Sequence, residues 1–593
     1  MKTLSRIAAL AILVWAVGSI VAEHGFVRAG EKPSEAHAAL HAGLDVAFVL
    51  LLAGYVVLLL AVERREDWMR RNRFLLVAAL VGVLALFAAR GEAFRLAVLG
   101  VKSVAALILG FRLALAVPSK LNLTTPLVIA ASFLLIITAG WLMLMLPAAA
   151  APDRPPVGSV DALFTATSAT CVTGLVVLDT GGDFSTFGQL VILILIQIGG
   201  LGLMTFVAFF SFAAGAGLPL REQAMMREAL SLHSLSHLGN VLRFIVVSTF
   251  LLEALGAVII YLSFPFPANW SAGYSVYFSV FHAISAFCNA GFSLLTRSIT
   301  CAVGSVPVNL IFMSLILLGG FGFAVNQRIA WHAGRLFGRG RRPGPPFRVH
   351  TRIALVVSLI LVVVGGAAIY TLELNNDAFG AVETAAGETA PGGQKERVLA
   401  SLFQSVSART AGFNTTEVGA LSSATLLLII LLMFVGASPG GTGGGVKTTT
   451  FALFWLAIIS RLRNRERVES FKRTIPRALI ETALVIIIAA ALVVTASAFA
   501  VSLFGVHWDR MDAATLANVE GRHFECILFE VTSAFATVGY STGITKYLST
   551  GAKMAVTLAM FIGRIGPFTL LLAMSRQAGK ARYRYPEEGI IVG

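Results

Sequence analysis

The residues Thr537-Val538-Gly539-Tyr540-Ser541 close a stretch, Phe529–Ser541 (FEVTSAFATVGYS), whose chemistry would reside in the backbone. Glycine lets a carbonyl turn inward without a Cβ clash, and carbonyls turned to a common point replace the hydration shell of a cation. The stretch has three counterparts: Phe164–Leu175 (FTATSATCVTGL), Phe281–Phe292 (FHAISAFCNAGF) and Phe403–Phe413 (FQSVSARTAGF). Their glycines, Gly174, Gly291, Gly412 and Gly539, are separated by 117, 121 and 127 residues. In three of the four units the glycine is the tenth residue after the phenylalanine, and in the third it is the ninth. Small-residue helix contacts of the GxxxG kind explain neither this common spacing nor the recurring Phe…Ser…Gly frame. The pairs Thr173–Gly174, Ala290–Gly291, Ala411–Gly412 and Val538–Gly539 are the candidate ion ligands, through their carbonyls. The fourth stretch also matches four of the five residues of TVGYG, the filter sequence of potassium channels.

A second stretch, Gly436–Thr450 (GASPGGTGGGVKTTT), suggests a phosphate cradle ending in lysine, but it lacks the GxxxxGK[ST] spacing and no strand precedes it. It interrupts the apolar run Leu426–Val435, and its glycines and proline must break a helix there. Lys447 and Thr448–Thr450 are positioned to bond the carbonyls so released. Arg564 lies inside the last apolar run, in FIGRIGP, where an isolated arginine marks a functional site or a structural pair with an acid such as Glu481 or Glu253. Arg409 is expected to pair with Glu530 and brace the loops. Asn289, His282 and Asn326 read as satisfied buried polar groups. Cys171 and Cys288, each three residues before a glycine, read as small side chains. The four cysteines have no metal-ligand spacing, and no nucleophile–base set is present, so an enzyme is not indicated.

These loops need a frame, and composition says which. The 593 residues are 57% hydrophobic and 13% charged, with mean hydropathy +0.83, values of a polytopic membrane protein. The net charge of +15 does not indicate nucleic acid, because the basic residues sit in short loops between apolar runs. Ile7–Ala22 reads as an uncleaved first span, followed by Leu44–Val62, Phe74–Ala89 and Ala93–Val117. The last carries Arg95, Lys102 and Arg112, too widely spaced for a voltage sensor. From about residue 125 each unit reads as a long apolar helix (Leu127–Leu146, Val241–Leu262, Ile353–Leu372, Ala478–Leu503), a short helix with its glycine loop, and another apolar helix. Arg328–Arg352 holds seven arginines and no acid, and Arg461–Arg477 holds seven basic residues against two glutamates, so both are expected on the cytoplasmic side. Glu373–Arg397, with five acids, is expected outside.

The expected fold is therefore all-α and polytopic. It comprises about four extra N-terminal helices (1–120) and four tandem helix–pore-loop–helix repeats in pseudo-fourfold arrangement (121–239, 240–350, 351–474 and 475–593). Irregular backbone at membrane depth is tolerated only where it lines water or is buried in protein. Each short helix would aim its negative end at the ion.

The chain resembles the Trk/Ktr/HKT superfamily of cation transporters, and its Ktr-type membrane subunit most, over about residues 120–593. The likeness rests on Thr170–Leu175 (TCVTGL), Gly199–Leu203 (GGLGL), Ser407–Asn414 (SARTAGFN), Gly436–Thr450, Phe561–Pro567 (FIGRIGP) and Tyr585–Gly593 (YPEEGIIVG). It implies potassium uptake across the cytoplasmic membrane through a four-loop filter, with K+ as substrate held by filter carbonyls. Gly174, where sodium-conducting members carry serine, points to K+. It also implies a gate at 436–450, with Gly440, Gly441, Gly443, Gly444, Gly445 and Lys447, and places Arg564 near the pore below the filter. The implied assembly is a homodimer on a cytosolic RCK-type nucleotide-binding regulatory subunit, the loops 328–352 and 461–477 being docking faces and the C-terminus cytoplasmic. No covalent cofactor is implied, and a nucleotide enters only through the partner. The N-terminal helices depart from the Ktr pattern. Coupling to Na+ or H+ stays open, as does a Na+-permeable or symporting carrier with a midplane site. Such carriers show inverted repeats, whereas these four units share one orientation.

Overall fold

The computed structural model of the chain describes residues 48, 49, 52, 125–202, 238–336, 349–383, 389–567 and 569. The expected N-terminal spans, with Arg95, Lys102 and Arg112, lie outside these residues for all but three positions, as do the stretch 337–348 of loop 328–352 and the motif Tyr585–Gly593.

The described chain is helical apart from two hairpins of two-residue strands, Val382–Glu383 with Thr389–Ala390 and Glu469–Ser470 with Arg473–Thr474. Four long helices, α1 (Thr125–Leu144), α4 (Leu238–Ser263), α8 (Val349–Leu372) and α12 (Arg477–Phe504), form where the long apolar runs were read. They are the four helices among the described residues that are, singly, long and apolar enough to cross a bilayer. Each presents large apolar side chains outward, such as Leu262, 75% exposed, and Phe499, 71% exposed. Water would not tolerate such surface, whereas lipid tails would.

Each long helix packs on the short helix of its unit: α2 (Ser159–Thr170), α5 (Ala272–Phe287), α9 (Gln394–Ser407) and, after the two-turn α13 (Ala513–Val519), α14 (His523–Ala536). A third helix returns: α3 (Thr186–Leu201), α6 (Val306–Gly320), α10 (Ser423–Phe434) and α15 (Thr550–Ile565). Serine caps start three of these, the hydroxyls of Ser185, Ser422 and Ser549 accepting from the amides of Gly188, Thr425 and Ala552. Proline near the first turn starts the other, α6.

Three of the returning helices, α3, α6 and α15, are shorter than a span because glycine stops them. Gly202, Gly322 and Gly566 have φ of +75°, +85° and +91°, a left-handed exit that other residues enter at a cost. After Gly322 the chain turns by 116° into α7 (Phe323–Leu336). After α10 it enters the Gly436–Lys447 loop before α11 (Thr448–Leu462). The third helix of each unit contacts the short helix of the next: α3 with α5, α6 with α9, α10 with α14, and α15 with α2. The last contact closes a circuit, and the shared apolar core runs through neighbouring units.

Candidate ion pathway

At the centre of this circuit lie the four glycine loops. In each, the residue two before the glycine is left-handed: Val172, Asn289, Thr410 and Thr537, at φ +57°, +59°, +81° and +52°. The glycines follow at +89°, +72°, +79° and +93°. The same backbone path is thus taken four times, the third unit having lost one residue between its phenylalanine and its glycine without changing the turn. The four phenylalanines, Phe164, Phe281, Phe403 and Phe529, are fully buried anchors.

Sequence spacing could not say that the loops meet. A methyl group added to Gly174 would run into the carbonyl of Ala290 and the Cα of Gly291. Added to Gly291, it would meet the carbonyl of Ala411 and Gly412 Cα; added to Gly412, the carbonyl of Val538 and Gly539 Cα. Added to Gly539, it would meet the carbonyl of Thr173 and Gly174 Cα, so the four glycines neighbour one another around a closed ring. All eight residues picked from the sequence as candidate ligands are in it. Each glycine leaves room for the carbonyl preceding the next.

Side chains hold the ring's shape. The amides of Gly174 and Gly539 donate to the hydroxyls of Ser168 and Ser533, each at 3.1 Å. The hydroxyls of Ser168, Ser285 and Ser407 donate to the carbonyls of Leu175, Phe292 and Phe413 at 2.8, 2.8 and 2.6 Å. The position after each phenylalanine pins the far side of three loops. His282 Nε2 bonds Ser293 Oγ at 3.1 Å, Gln404 Nε2 donates to Thr416 Oγ1 at 2.8 Å, and Glu530 accepts from Ser541 Oγ, the Thr542 amide and Thr545 Oγ1 at 2.5, 3.0 and 2.9 Å. In the first loop that position is Thr165, whose buried hydroxyl has no partner. The Tyr540 hydroxyl reaches across to the Gln404 side chain, tying the fourth loop to the third.

The expected Arg409–Glu530 pair does not form. Arg409 follows the end of its short helix and turns to the glycine-rich loop, its Nη2 donating to the Gly436 carbonyl at 3.4 Å, while Glu530 is taken up by its own loop. The pairing of Arg564 with Glu481 or Glu253 does not form either. Arg564 donates to the carbonyls of Thr442 and Gly199, and Glu253 instead accepts from Gln197 Nε2 at 3.1 Å and faces Cys288 Sγ at 3.8 Å. The readings of His282 as satisfied and of Cys288 as small agree with their places: His282 also bonds the Phe278 carbonyl, and Gly200 leaves no room for a larger group at 288.

The glycine-rich loop lies against the ring on the side where the short helices end. Gly443 and Gly444 sit against Thr410 and Thr537, and the Gly444 amide donates to Thr537 Oγ1 at 2.9 Å. Thr442 Oγ1 donates to the Phe287 carbonyl at 3.3 Å, and the amides of Ser438 and Thr442 donate to the carbonyls of Gly320 and Gly319 at 3.0 and 3.1 Å. Lys447 Nζ closes the loop on the Gly443 carbonyl at 2.7 Å. Gly440 and Gly445 supply the positive φ values, +77° and +67°. Through Arg564 and Gly199 the loop also reaches the first unit.

One signal escaped the sequence reading. Gly-x-x-Gly recurs at 199–202, 319–322 and 563–566. In each case the first glycine packs on a short-helix carbonyl, of Thr170, Phe287 or Phe535. Arg564 occupies the position held by Gly200 and Gly320, which an alignment of the units against one another would have exposed.

The family model described as TrkH, a cation transport protein, matches residues 110–583. The chain belongs to the TrkH/Ktr family. Its relatives are transporters, not enzymes. It is 34% identical to the Ktr system potassium uptake protein B of Bacillus subtilis over 470 residues, 79% of this chain and 97% of that one. It is 35% identical to the Ktr system potassium uptake protein B of Vibrio alginolyticus, over 79% of this chain and 95% of the other. It is 32% identical to the potassium/sodium uptake protein NtpJ of Enterococcus hirae, over 78% and 96%. In fold it is similar to the potassium transporter TrkH of Vibrio parahaemolyticus, with a TM-score of 0.57 at 18% identity, covering 90% of this chain and 98% of that one.

Proposed function

We propose that this TrkH/Ktr-family chain is the pore subunit of a potassium uptake system, with four tandem helix–pore-loop–helix units in pseudo-fourfold arrangement. The observation that carries the reading is the ring of Gly174, Gly291, Gly412 and Gly539, each at positive φ and each packed on the carbonyl before the next. K+ is the substrate, stripped of water by carbonyls of Thr173–Gly174, Ala290–Gly291, Ala411–Gly412 and Val538–Gly539. The loop 436–450 is the gate, with Gly440, Gly441, Gly443, Gly444, Gly445, Lys447 and Arg564 holding it under the filter. Two fixed cations there slow K+ while the loop is docked and release it when the loop swings away. The protein sits in the cell membrane with its C-terminus in the cytoplasm, as a homodimer on a cytosolic RCK-type subunit that binds the nucleotide. The chain names of its relatives, Ktr system potassium uptake proteins, support K+ and a multi-subunit system.

A second reading, Na+-permeable or Na+/H+-linked transport, is favoured by the relative named a potassium/sodium uptake protein. One experiment separates them: cation flux into liposomes holding the purified chain, under K+ and Na+ gradients imposed separately. A K+ flux that persists without Na+ or a proton gradient is expected. Equal Na+ flux, or a K+ flux that needs Na+, replaces the first reading by the second. Wild-type K+ uptake retained by Gly539→Asp or Gly291→Asp in a transport-deficient host would overturn both.

A further inference from the structure

A cavity of about 1250 Å³ opens between α11 and the start of α12, away from the ion ring. Its polar wall carries Arg461, Arg465, Arg467 and Arg477. None of the four makes an ion pair with another described residue, although Glu466 and Glu481 also line the cavity. Its other wall is apolar, with Ala457, Ile458, Ile480 and Leu484 on the facing surfaces of the two helices.

The four arginine side chains are exposed, and the backbone that carries them is held in place. The buried hydroxyl of Ser460 donates to the Arg467 carbonyl at 3.0 Å, and the Arg465 amide returns to the Ser460 carbonyl at 2.9 Å. The Ile475 amide closes the hairpin on the Val468 carbonyl at 2.9 Å. Arg352, at the start of α8, stacks over the Phe471 ring at 5.7 Å and clamps the hairpin to a third helix. The cavity's depth is fixed by α12, which begins at Arg477 and runs apolar for a full membrane crossing. With α12 crossing a bilayer from this end, the guanidinium groups would lie where the headgroups begin, and the apolar wall would continue down the same groove where acyl chains begin.

We propose that this groove binds a phospholipid with an anionic headgroup, its phosphate held by Arg461, Arg465, Arg467 and Arg477 and its acyl chain laid along Ile480 and Leu484. Arginine suits the site because its planar fork pairs two oxygens of a phosphate at once. A soluble anion would use the guanidinium groups alone and leave the apolar wall idle. An acidic protein face would engage the hairpin tip, Lys472 and Arg473, before reaching the cavity. The site does not depend on the filter reading and requires only that α12 crosses the membrane.

The test is native mass spectrometry of the detergent-purified full chain, titrated with phosphatidylglycerol or phosphatidylcholine. Wild type should bind phosphatidylglycerol at least tenfold more tightly than phosphatidylcholine. Each arginine replaced by glutamine should weaken phosphatidylglycerol roughly fivefold, and R461Q/R465Q/R467Q/R477Q should abolish the preference. Arg463→Gln, in the same loop but outside the cavity, should change nothing. Ile480→Trp keeps every charge and fills the apolar wall, so it should weaken phosphatidylglycerol several-fold, and it decides the matter if the quadruple variant fails to fold. Equal binding of the two lipids, wild-type binding by Ile480→Trp, or complete competition by millimolar inorganic phosphate would overturn the proposal.

Discussion

The two glycine-rich regions at the heart of the molecule differ in what holds them. Each ring loop is fixed from within its own unit, by its serine and, in three units, by the residue after its phenylalanine, and it is fixed again by the neighbour that fills the space at its glycine. The Gly436–Lys447 loop has few bonds of its own. Beyond the Gly436 amide on the Val446 carbonyl and Lys447 on the Gly443 carbonyl, carbonyls of α6, a threonine of the ring and the guanidinium groups of Arg409 and Arg564 hold it from outside. Bonds internal to a loop persist when elements around it move, whereas bonds to other elements are lost together. The first arrangement suits a filter and the second a gate, which is how one residue type serves both.

Breaking the ring should have the largest effect. Gly291→Ala or Gly412→Ala places a methyl group against a neighbouring loop's backbone, at a φ already costing about 1 kcal/mol or more for a side chain. K+ uptake is expected to fall more than tenfold. Gly440→Ala bears the same backbone strain with open space around its Cβ, and should retain most uptake. Equal losses in a rubidium uptake assay would mean that crowding around the ring is not what matters.

Releasing the loop should come next. A charge-assisted bond is worth about 1.5–3 kcal/mol, so Arg564→Gln, which removes the guanidinium bond to the Thr442 carbonyl, should shift the docked population roughly tenfold or more toward release. Faster K+ flux in liposomes, with K+/Na+ preference unchanged, is expected of Arg564→Gln and, through loss of the other fixed cation, of Lys447→Met. A change in preference without a change in rate would place these cations in the filter instead.

A smaller effect is expected at Glu530. Glu530→Gln turns an amide toward groups that already donate, costing about 1–3 kcal/mol and loosening the fourth loop. Selectivity for K+ over Na+ should fall several-fold with the protein still folded, as read by flux and thermal unfolding. Exchanging Arg409 and Glu530 should abolish transport, because they are not partners: the arginine would be stranded among donors and the carboxylate beside the Gly436 carbonyl.

The glycines, their spacing and the helix-breaking loop were legible in the sequence because backbone geometry demands a residue type, and glycine can be recognised wherever it stands. Arg409, Glu530 and Arg564 were legible as unusual, but their partners were not. Arg409 and Arg564 bond carbonyls, which every residue carries and no pattern marks. The stops at Gly202, Gly322 and Gly566 were missed because an apolar run on either side of a glycine reads as one continuous span.

The smallest effect is expected where the four units differ most. Thr165 holds the position that Glu530 holds in the fourth loop, yet its buried hydroxyl meets no partner, and Gly174 is kept in place by Ser168. An unpaired buried hydroxyl adds nothing a methyl group would not, so Thr165→Val should change stability by no more than about 0.5 kcal/mol and leave selectivity alone. If Thr165→Val instead lowered K+ preference as Glu530→Gln does, the loops would be pinned alike. The first loop's freedom from that pin would then have to be given up, and with it the view that the ring tolerates one loop held by its serine and its neighbours alone.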